Sequence, residues 1–487
     1  TTMNLAEPLR QHARARAGRP AIVHGERTIR YGDLDLMVQR RAAHLIDRGL
    51  APGDIVGVAL RDDIEHVALL FALARAGLVM LPLDWRWTSA EQTRVATHFG
   101  AKLVLADPAA APLAGIECVP IDERWQQAVA TANASREFST GDAPLLMSLS
   151  SGTTGRPKGP RLMHSHFLAR FRVMWVNLGF NSQDRYVSAT PLYFGGGRTF
   201  AMLMLYSGAT LVMVPPPYEP HELCDQVDRH QATAIFLVPT LLRRLLALSD
   251  ATLAPFHRMR LVLSSGAALH VEERRAVRER LCKGFIEYYS STEGGGISYL
   301  TKEDPAQFDA SVGRPVFGVD VQCVDASHRP LPPGEIGRIR YRGPAVAAAF
   351  WNDPEASAEA FRDGWYYPGD LGMQDEHGYL YLKGRAKEMI IRGGVNIYPA
   401  EIEAILQTHP AVGECAVVGW PSRVFNEEIA AFVIATSAIS AAVLRDHCAR
   451  ELAAYKVPRE IFLVDEMPRN SLGKILKSAL QARLAPL

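Results

Sequence analysis

Residues 148–159 read SLSSGTTGRPKG and follow directly on the apolar, strand-like LLM of 145–147. Hydroxyls, glycines and one lysine are concentrated at the point where the chain leaves a strand. Glycines let backbone N–H groups approach an anion, the hydroxyls of Ser151, Thr153 and Thr154 add donors, and Lys158 adds positive charge. A phosphate cradle explains this better than a flexible turn, since turns seldom collect so many donors beside a lysine. It is not a Walker loop: that pattern needs glycine where Pro157 stands and Ser or Thr where Gly159 stands. No G-x-S-x-G nucleophile elbow occurs, and the glycines at 195–197 fail the G-x-G-x-x-G spacing, which weakens hydrolase and dinucleotide readings together.

Outward from the loop, helical and strand periodicities alternate. Leu34, Val38, Leu45 and Ile46 share a helical face before Gly49, and IVGVAL from Ile55 predicts a buried strand. VALLFALARAGLVMLPL is the stretch nearest to a membrane span, but it contains Arg75 and reads as helix then strand. Ser89 with Gln92 predicts a capping box, and LVL at 103–105 a short strand. TFAMLMLYSGATLVMVPP, a helix around 221–230, AIFLVP and LVLSSG predict a second block of the same kind. The expectation is an α/β fold with two doubly wound sheets.

From about Gly334 the texture changes to short β segments such as GEIGRIRYRG and EHGYLYLKGR. After Arg385 a helix over 399–407, strands at ECAVVGW and IAAFVIA, a helix over 441–455 and a strand at IFLVDEM predict a small α+β domain. The expected division is a large N-terminal domain, residues 1–386, with a small β region, followed by a small mobile domain, residues 387–487. A chain of 487 residues, 48% hydrophobic and 22% charged, can bury a large core. Its 53 Lys plus Arg against 52 Asp plus Glu give a net charge of +1, so there is no bulk field for nucleic acid or an anionic membrane. The six cysteines form no C-x-x-C pair, histidines lack zinc-ligand spacing, and the first residues carry no apolar secretory stretch. Free thiols in a cytoplasmic setting are expected.

Four further islands accompany the loop: EYYSSTEGGG (287–296), WYYPGDLG (365–372), GRAKEMIIRGGVNIYPAEIE (384–403) and PRNSLGKILK (468–477). In order and spacing the five resemble the adenylate-forming (AMP-binding) superfamily, in particular its acyl-CoA synthetase branch, over nearly the whole chain. The resemblance implies activation of a carboxylic acid with MgATP to acyl-AMP and pyrophosphate, then transfer to a thiol. The difficulty is charge, because a carboxylate must attack the α-phosphate of a polyanion. The resemblance implies that Ser151, Gly152, Thr153, Thr154, Gly155 and Lys158 cradle the phosphates, that Thr292 contacts phosphate, and that Glu293 holds Mg2+. It implies adenine stacking on Tyr289, otherwise an ordinary core tyrosine, with Gly266, Ala267 and Ala268 lining adenine and acid. Asp370 would take the ribose hydroxyls and Arg385 would add a second ribose contact; alone, Asp370 would be a turn residue. Pro368 stands where the family usually has Thr, which removes a hydroxyl contact. Lys474, alone an exposed lysine beside Gly473, would bridge acid and α-phosphate. Lys387 would be the hinge for domain alternation, and Gly394 would line the pantetheine tunnel.

Residues 190–200, TPLYFGGGRTF, fall where family members shape the acid pocket, and Phe194 replaces a frequent histidine. Phe194 suits an apolar or aromatic acid or is a plain core residue. No aspartate stands there for a substrate ammonium, which disfavours amino acids. Gly195, Gly196, Gly266 and Gly294 are the other pocket residues; the glycine runs leave room for an apolar acid or serve close packing. Arg198 either recognises a second carboxylate or is a solvated or phosphate-facing arginine. His164 and His166 read as helix-start or packing residues rather than acid–base groups, since adenylation needs no general base. The expectation is an acid–CoA ligase for an aromatic or medium-chain acid, using ATP, Mg2+ and CoA. Its partners are the acid and CoA, not nucleic acid or membrane, with a homodimer left open. The alternatives are an acyl-AMP ligase loading a carrier protein and a noncatalytic nucleotide-binding protein of the same fold. No carrier segment is apparent, and an idle site need not keep Lys474, Glu293 and Asp370.

Overall fold

The apolar run from Ile55 becomes the strand Ile55–Ala59, buried along its whole length, and the run after it becomes the helix Ile64–Ala76 and the strand Val79–Pro82. The Asp63 side chain caps the helix by accepting the His66 N–H at 2.8 Å, and Gly77 ends it at φ 71°. Arg75 is buried against Asp35 at 2.7 Å and the Ala6 carbonyl at 2.9 Å, so its charge is met within the fold. No helix among the described residues is long and apolar enough to cross a membrane.

The computed structural model describes residues 4–136, 141–149, 158–266, 269–392, 395–470 and 473–485. By contacts the chain forms two units, Thr1–Val321 with Tyr341–Tyr366, and Gln322–Arg340 with Tyr367–Leu487. The first holds a six-stranded sheet in the order Glu117–Pro120, Leu103–Ala106, Ile55–Ala59, Val79–Pro82, Pro144–Met147, Arg161–Met163, parallel except for the last pair. Its other sheet has nine strands. A parallel centre from Pro20–His24 through Thr210–Met213, Arg185–Ser188, Ala234–Leu237 and Leu261–Ser264 to Phe285–Ser291 is flanked by antiparallel strands. Two doubly wound sheets are therefore present, though of unequal width. One expected feature shifts by a residue: the capping box at Ser89–Phe99 is Thr88 with Glu91, not Ser89 with Gln92. Gln92 is buried instead and donates to the Asp84 and Trp87 carbonyls.

In the second unit the hairpin Asp370–Gln374 with Leu380–Arg385 pairs with Gly337 and Arg338. A further sheet orders Val395–Ile397, Ile390–Arg392, Asn426–Ala435 and Val412–Ser422, with Glu460–Leu463 parallel to Asn426–Ala435. Alternate residues of its long hairpin enter different cores. Val417, Ile429, Ala431 and Val433 pack with Ile402, Leu406, Leu444 and Cys448, while Ala416, Val418, Ala430 and Phe432 pack with Leu480. The helix expected over 441–455 ends at Glu451, followed by the short turn Ala454–Lys456. Contacts group residues 367–386 with the C-terminal chain, the strand Leu380–Arg385 lying against the helix Pro399–Gln407. The boundary expected after residue 386 rests on the change of sequence pattern near Gly384 to Glu388, a basis separate from contact grouping. All six cysteines are free, with Cys118 and Cys415 only partly buried.

Candidate active site

In the N-terminal unit the glycine-rich stretch leaves Pro144–Met147 and returns along Arg161–Met163, with Met147 opposite Arg161. The Ser148 N–H donates to the Pro160 carbonyl at 3.1 Å, which closes the base of the loop. A Cβ at Gly159 would lie 2.4 Å from the Ser148 carbonyl oxygen, so only glycine fits beside that strand. Lys158, half-buried, begins the returning limb. Ser151, Gly152, Thr153, Thr154 and Gly155 lie outside the described residues, as do Ala267 and Ala268. Gly266 follows the strand Leu261–Ser264 at φ 98° with open space where a Cβ would stand.

Tyr289, half-buried, lies on Phe285–Ser291, and the hydroxyls of Ser290 and Ser265 meet at 3.0 Å, joining that strand to the one before Gly266. Thr292 and Glu293 occupy the turn that follows. The turn is fixed on three sides: the Thr292 carbonyl accepts from Arg170 Nη2 at 2.9 Å, the Glu293 carbonyl accepts from the Ala347 N–H at 2.9 Å, and Ser291 Oγ bonds Tyr341. Glu293 is 6% exposed. Among the described residues no three acidic, His or Cys side chains are placed so that they could hold a metal ion. One carboxylate fits Mg2+ carried on ATP, because this ion keeps waters and phosphate oxygens and takes only one or two protein carboxylates.

The stretch before Gly195–Tyr206 is tied down at nearly every polar atom. Both Asp62 carboxylate oxygens accept the Leu192 N–H at 3.1 Å, Arg198 Nη1 donates to the Leu192 and Tyr193 carbonyls at 3.1 and 3.0 Å, and Arg86 donates to the Tyr193 hydroxyl. These bonds set Phe194, which immediately precedes the helix and is half-buried. Arg198 is not solvated; it is 2% exposed. Gly195 faces open space, but a Cβ at Gly196 would meet the Phe236 ring at 2.7 Å and one at Gly294 the Tyr341 hydroxyl at 2.3 Å. The close-packing reading of these glycines therefore holds at 196 and 294. His164 and His166 sit in the first turn of His164–Leu178, accepting the Leu5 and Met163 N–H groups at 3.0 and 3.1 Å. Burial pushes His164 down to about 4, so it is neutral.

Asp62, a residue that no motif marks, is pushed from 3.8 up to about 7, first by burial and then by Asp63 and Asp84, against the Leu192 hydrogen bond. The folded chain thus holds this proton more tightly than the unfolded chain. Stability attributable to it falls as pH rises from 3.8 to about 7 and stays reduced above. Asp62→Asn keeps an acceptor for Leu192 and removes the buried charge. The variant should exceed wild type by roughly 2–4 kcal/mol at pH 8.5, a gap that closes toward pH 4. Urea unfolding at both pH values measures this, and a gap independent of pH would contradict it.

The C-terminal unit brings together Asp370, Arg385, Lys387 and Lys474. Asp370 lies opposite Arg385 in the hairpin, with Nε–Oδ1 3.1 Å, and Arg385 Nη1 donates to the Pro368 carbonyl at 2.7 Å. Pro368 thus supplies a carbonyl to the arginine where a threonine would also bring a hydroxyl. Lys387 lies in the turn Ala386–Glu388; burial and then Arg385 lower its pKa, against Glu388 and Asp370. Lys474 sits in a turn that Asn470 closes twice: its side chain accepts the Lys474 N–H and its N–H donates to the Lys474 carbonyl, both at 2.9 Å. Lys474 is exposed over its surface as a whole, yet packing at its ammonium, then Arg385 and Lys387, lower its pKa, with Glu388 and Asp370 opposing. Gly394 lies outside the described residues. Lys477, unmarked by motif reading beyond its place in the last island, bridges Glu388 at 3.1 Å and Glu403 at 2.7 Å.

Residues 9–351 match the model of the AMP-binding enzyme family, and residues 401–474 that of the AMP-binding enzyme C-terminal domain. The chain is 32% identical to the indoleacetate–CoA ligase of Aromatoleum aromaticum, covering 99% of this chain and 98% of that one. It is similar in structure to ATP-bound MatB from Rhodopseudomonas palustris, with TM-score 0.92, 29% identity and 99% of each chain covered. It is also similar to o-succinylbenzoate coenzyme A synthetase (MenE) of Bacillus subtilis in complex with ATP and magnesium ion, with TM-score 0.89, 27% identity, and 97% of this chain and 99% of that chain covered.

Proposed function

Since the chain belongs to the AMP-binding enzyme family, we propose a role for each of its site residues and a class for its acid. The activity itself is that of an AMP-forming acid–CoA ligase: ATP and a carboxylic acid give acyl-AMP and pyrophosphate, and CoA then takes the acyl group and releases AMP. ATP, Mg2+ and CoA are its cosubstrates and ion.

The acid in this proposal is aromatic or medium-chain. Phe194 supports it, since an aromatic edge at the pocket favours apolar carbon and leaves nothing to pair a substrate ammonium. The indoleacetate–CoA ligase similar to this chain acts, by its name, on an aromatic acid. The 151–155 backbone, Lys158 and Thr292 hold the phosphates, Tyr289 and Gly266 hold adenine, and Asp370 with Arg385 holds ribose. Glu293 would hold Mg2+, which when bound supplies positive charge to phosphate oxygens. Lys474 meets the charge that develops on the attacked α-phosphate, Lys387 is the hinge, residues 1–386 and 387–487 are the moving parts, and Gly394 borders the thiol's path. Free cysteines support a reducing cytoplasmic setting.

The observation that carries this assignment is the doubly closed Asn470 turn, which presents Lys474 from a fixed backbone while its ammonium is set among Arg385, Asp370 and Lys387. The experiment is pyrophosphate release across benzoates, cinnamates, fatty acids and dicarboxylates, with and without CoA. Aromatic or medium-chain acids should release pyrophosphate, and CoA should convert single turnover into steady AMP formation. If acyl-AMP accumulates whatever the CoA concentration and discharges only onto a phosphopantetheinyl carrier, the CoA assignment fails.

A further inference from the structure

The turn that leads into Phe194 hangs on one buried carboxyl group. In the N-terminal unit residues 191–194 close on themselves, the Phe194 N–H donating to the Pro191 carbonyl at 3.1 Å. They lie so close to the helix Gly195–Tyr206 that a Cβ at Gly197 would stand 2.2 Å from the Pro191 oxygen. Arg198 holds the Leu192 and Tyr193 carbonyls, and Arg86 the Tyr193 hydroxyl. Leu192 is 1% exposed. Among the described residues its N–H has no acceptor but Asp62, whose two oxygens each stand 3.1 Å from it.

The Asp62 side chain is 9% exposed, and among the described residues the one basic group within ion-pair reach is His66, at 3.7 Å. His66 is neutral, pushed down to about 4 by burial, and supplies no counter-charge. The other charged or titratable groups facing Asp62 are Asp63 beside it, Asp84 and Arg86 after the strand Val79–Pro82, and Tyr193 and Arg198 across the turn. Arg86 is committed to Asp84 at 2.7 Å and to Tyr193. A buried carboxylate with no cation of its own destabilises the fold. An asparagine would offer Leu192 an acceptor without that charge, so folding alone does not account for an ionisable group at this place. What the charge adds is strength in one hydrogen bond, and that bond ends two residues before Phe194.

We infer that Asp62 is a positioning residue for the substrate acid: through the Leu192 N–H it fixes the 191–194 turn, and with it the point at which Phe194 meets the acid, and its negative charge tightens that hold. The inference rests on the reading of Phe194 as an acid-pocket residue of an acid–CoA ligase, and adds a residue that acts through the backbone of that wall. Since Asp62 is raised to about 7, the charge is present at pH 8.5 and absent at pH 5.5.

The test measures kcat/KM for the acid, by pyrophosphate release at saturating ATP, between these two pH values in wild type, Asp62→Asn and Asp62→Ala. The acid is whichever of phenylacetate, benzoate, cinnamate and hexanoate wild type uses best. The ratio of wild type to Asp62→Asn should climb from about one at pH 5.5 to about five at pH 8.5, with its midpoint near 7, because a charged acceptor makes the stronger bond. The other titrating groups are common to both proteins and cancel in that ratio. The loss should fall on KM for the acid and leave KM for ATP within about twofold. Asp62→Ala, which orphans the Leu192 N–H, should lose about 30-fold at pH 8.5, most of which asparagine restores. Asp62→Asn is expected to be the more stable protein at that pH, so its poorer use of the acid would not reflect a damaged fold. A ratio that stays at one or drops below it, with wild type active, sinks the inference and leaves the ligase reading standing. A loss shared equally by acid and ATP also overturns it. Should Asp62→Ala fail to fold, the asparagine ratio decides alone. If wild type releases pyrophosphate with none of these acids, the reading of the acid class and this inference fall together.

Discussion

Lys474→Ala should lower acyl-adenylate formation by about 10³-fold while conversion of preformed acyl-adenylate to thioester stays within about threefold of wild type. The first half-reaction gathers a carboxylate and a triphosphate, and an ammonium at the attacked phosphorus stabilises the transition state more than the separate reactants. The second half-reaction starts from a mixed anhydride that carries a single negative charge, with no pyrophosphate leaving, and does not need that extra ammonium. Alanine should not disturb the turn, because the two bonds that Asn470 makes there go to the backbone of residue 474. Removing an ammonium from beside Arg385 and Lys387 relieves like-charge repulsion, so unfolding should be unchanged or slightly harder. Single-turnover assays with radiolabelled acid, and with purified acyl-adenylate plus CoA, separate the halves. Parallel loss in both would remove Lys474 from its assigned step.

Local signals explain why so much of the scaffold was legible. Apolar runs and helical faces are properties of adjacent residues, so Ile55–Ala59, Pro399–Gln407 and the Val412–Ser422 hairpin partner lie where periodicity predicts them. Capping is competitive between neighbouring hydroxyls, and Thr88 displaces Ser89 because Glu91 is in reach of both its side chain and its backbone. Non-local company is what sequence reading lacks. The glycines at 294–296 read equally as space for substrate or as close packing, and only the fold shows Tyr341, Arg170 and Tyr288 already standing against them. Arg198 read as solvated or substrate-facing, and three-dimensional packing shows a buried clamp on two carbonyls. Arg170 carries a usable signal: it shares a helical face with Phe167, Phe171 and Met174, all buried, where an arginine needs a reason. Asp62 carried none, because Leu192, the group it holds, lies 130 residues away.

Lys477→Met should impair adenylation about 10–100-fold more than it impairs thioester formation. Lys477 opens the helix Lys477–Gln481 three residues after Lys474, and its ammonium bridges Glu388, next to Lys387, the proposed hinge, and Glu403, on Pro399–Gln407. The Glu403 carboxylate is itself fixed by the Val417 N–H at 2.7 Å, so it cannot swing away. Burial works against the Lys477 charge, but Glu403 and Glu388 outweigh it and raise the pKa. A lysine raised in the folded state contributes stability that is complete below its unfolded value of 10.5 and is lost only as pH climbs through the higher folded value. The tether therefore holds throughout the neutral range. Methionine keeps the stem's volume but leaves two carboxylates facing each other. Breaking a buried pair costs about 3–5 kcal/mol, and the side chains here, 19–26% exposed, put the loss near 2–3 kcal/mol. That energy keeps the Lys474 turn in place relative to Glu388, so its loss should appear as disorder of the Lys474 ammonium rather than as general unfolding. Lys477→Arg, which retains the cation, should recover most of the adenylation rate. If instead Lys477→Met lowers both half-reactions in proportion to its drop in Tm, Lys477 is only a fold-stabilising residue.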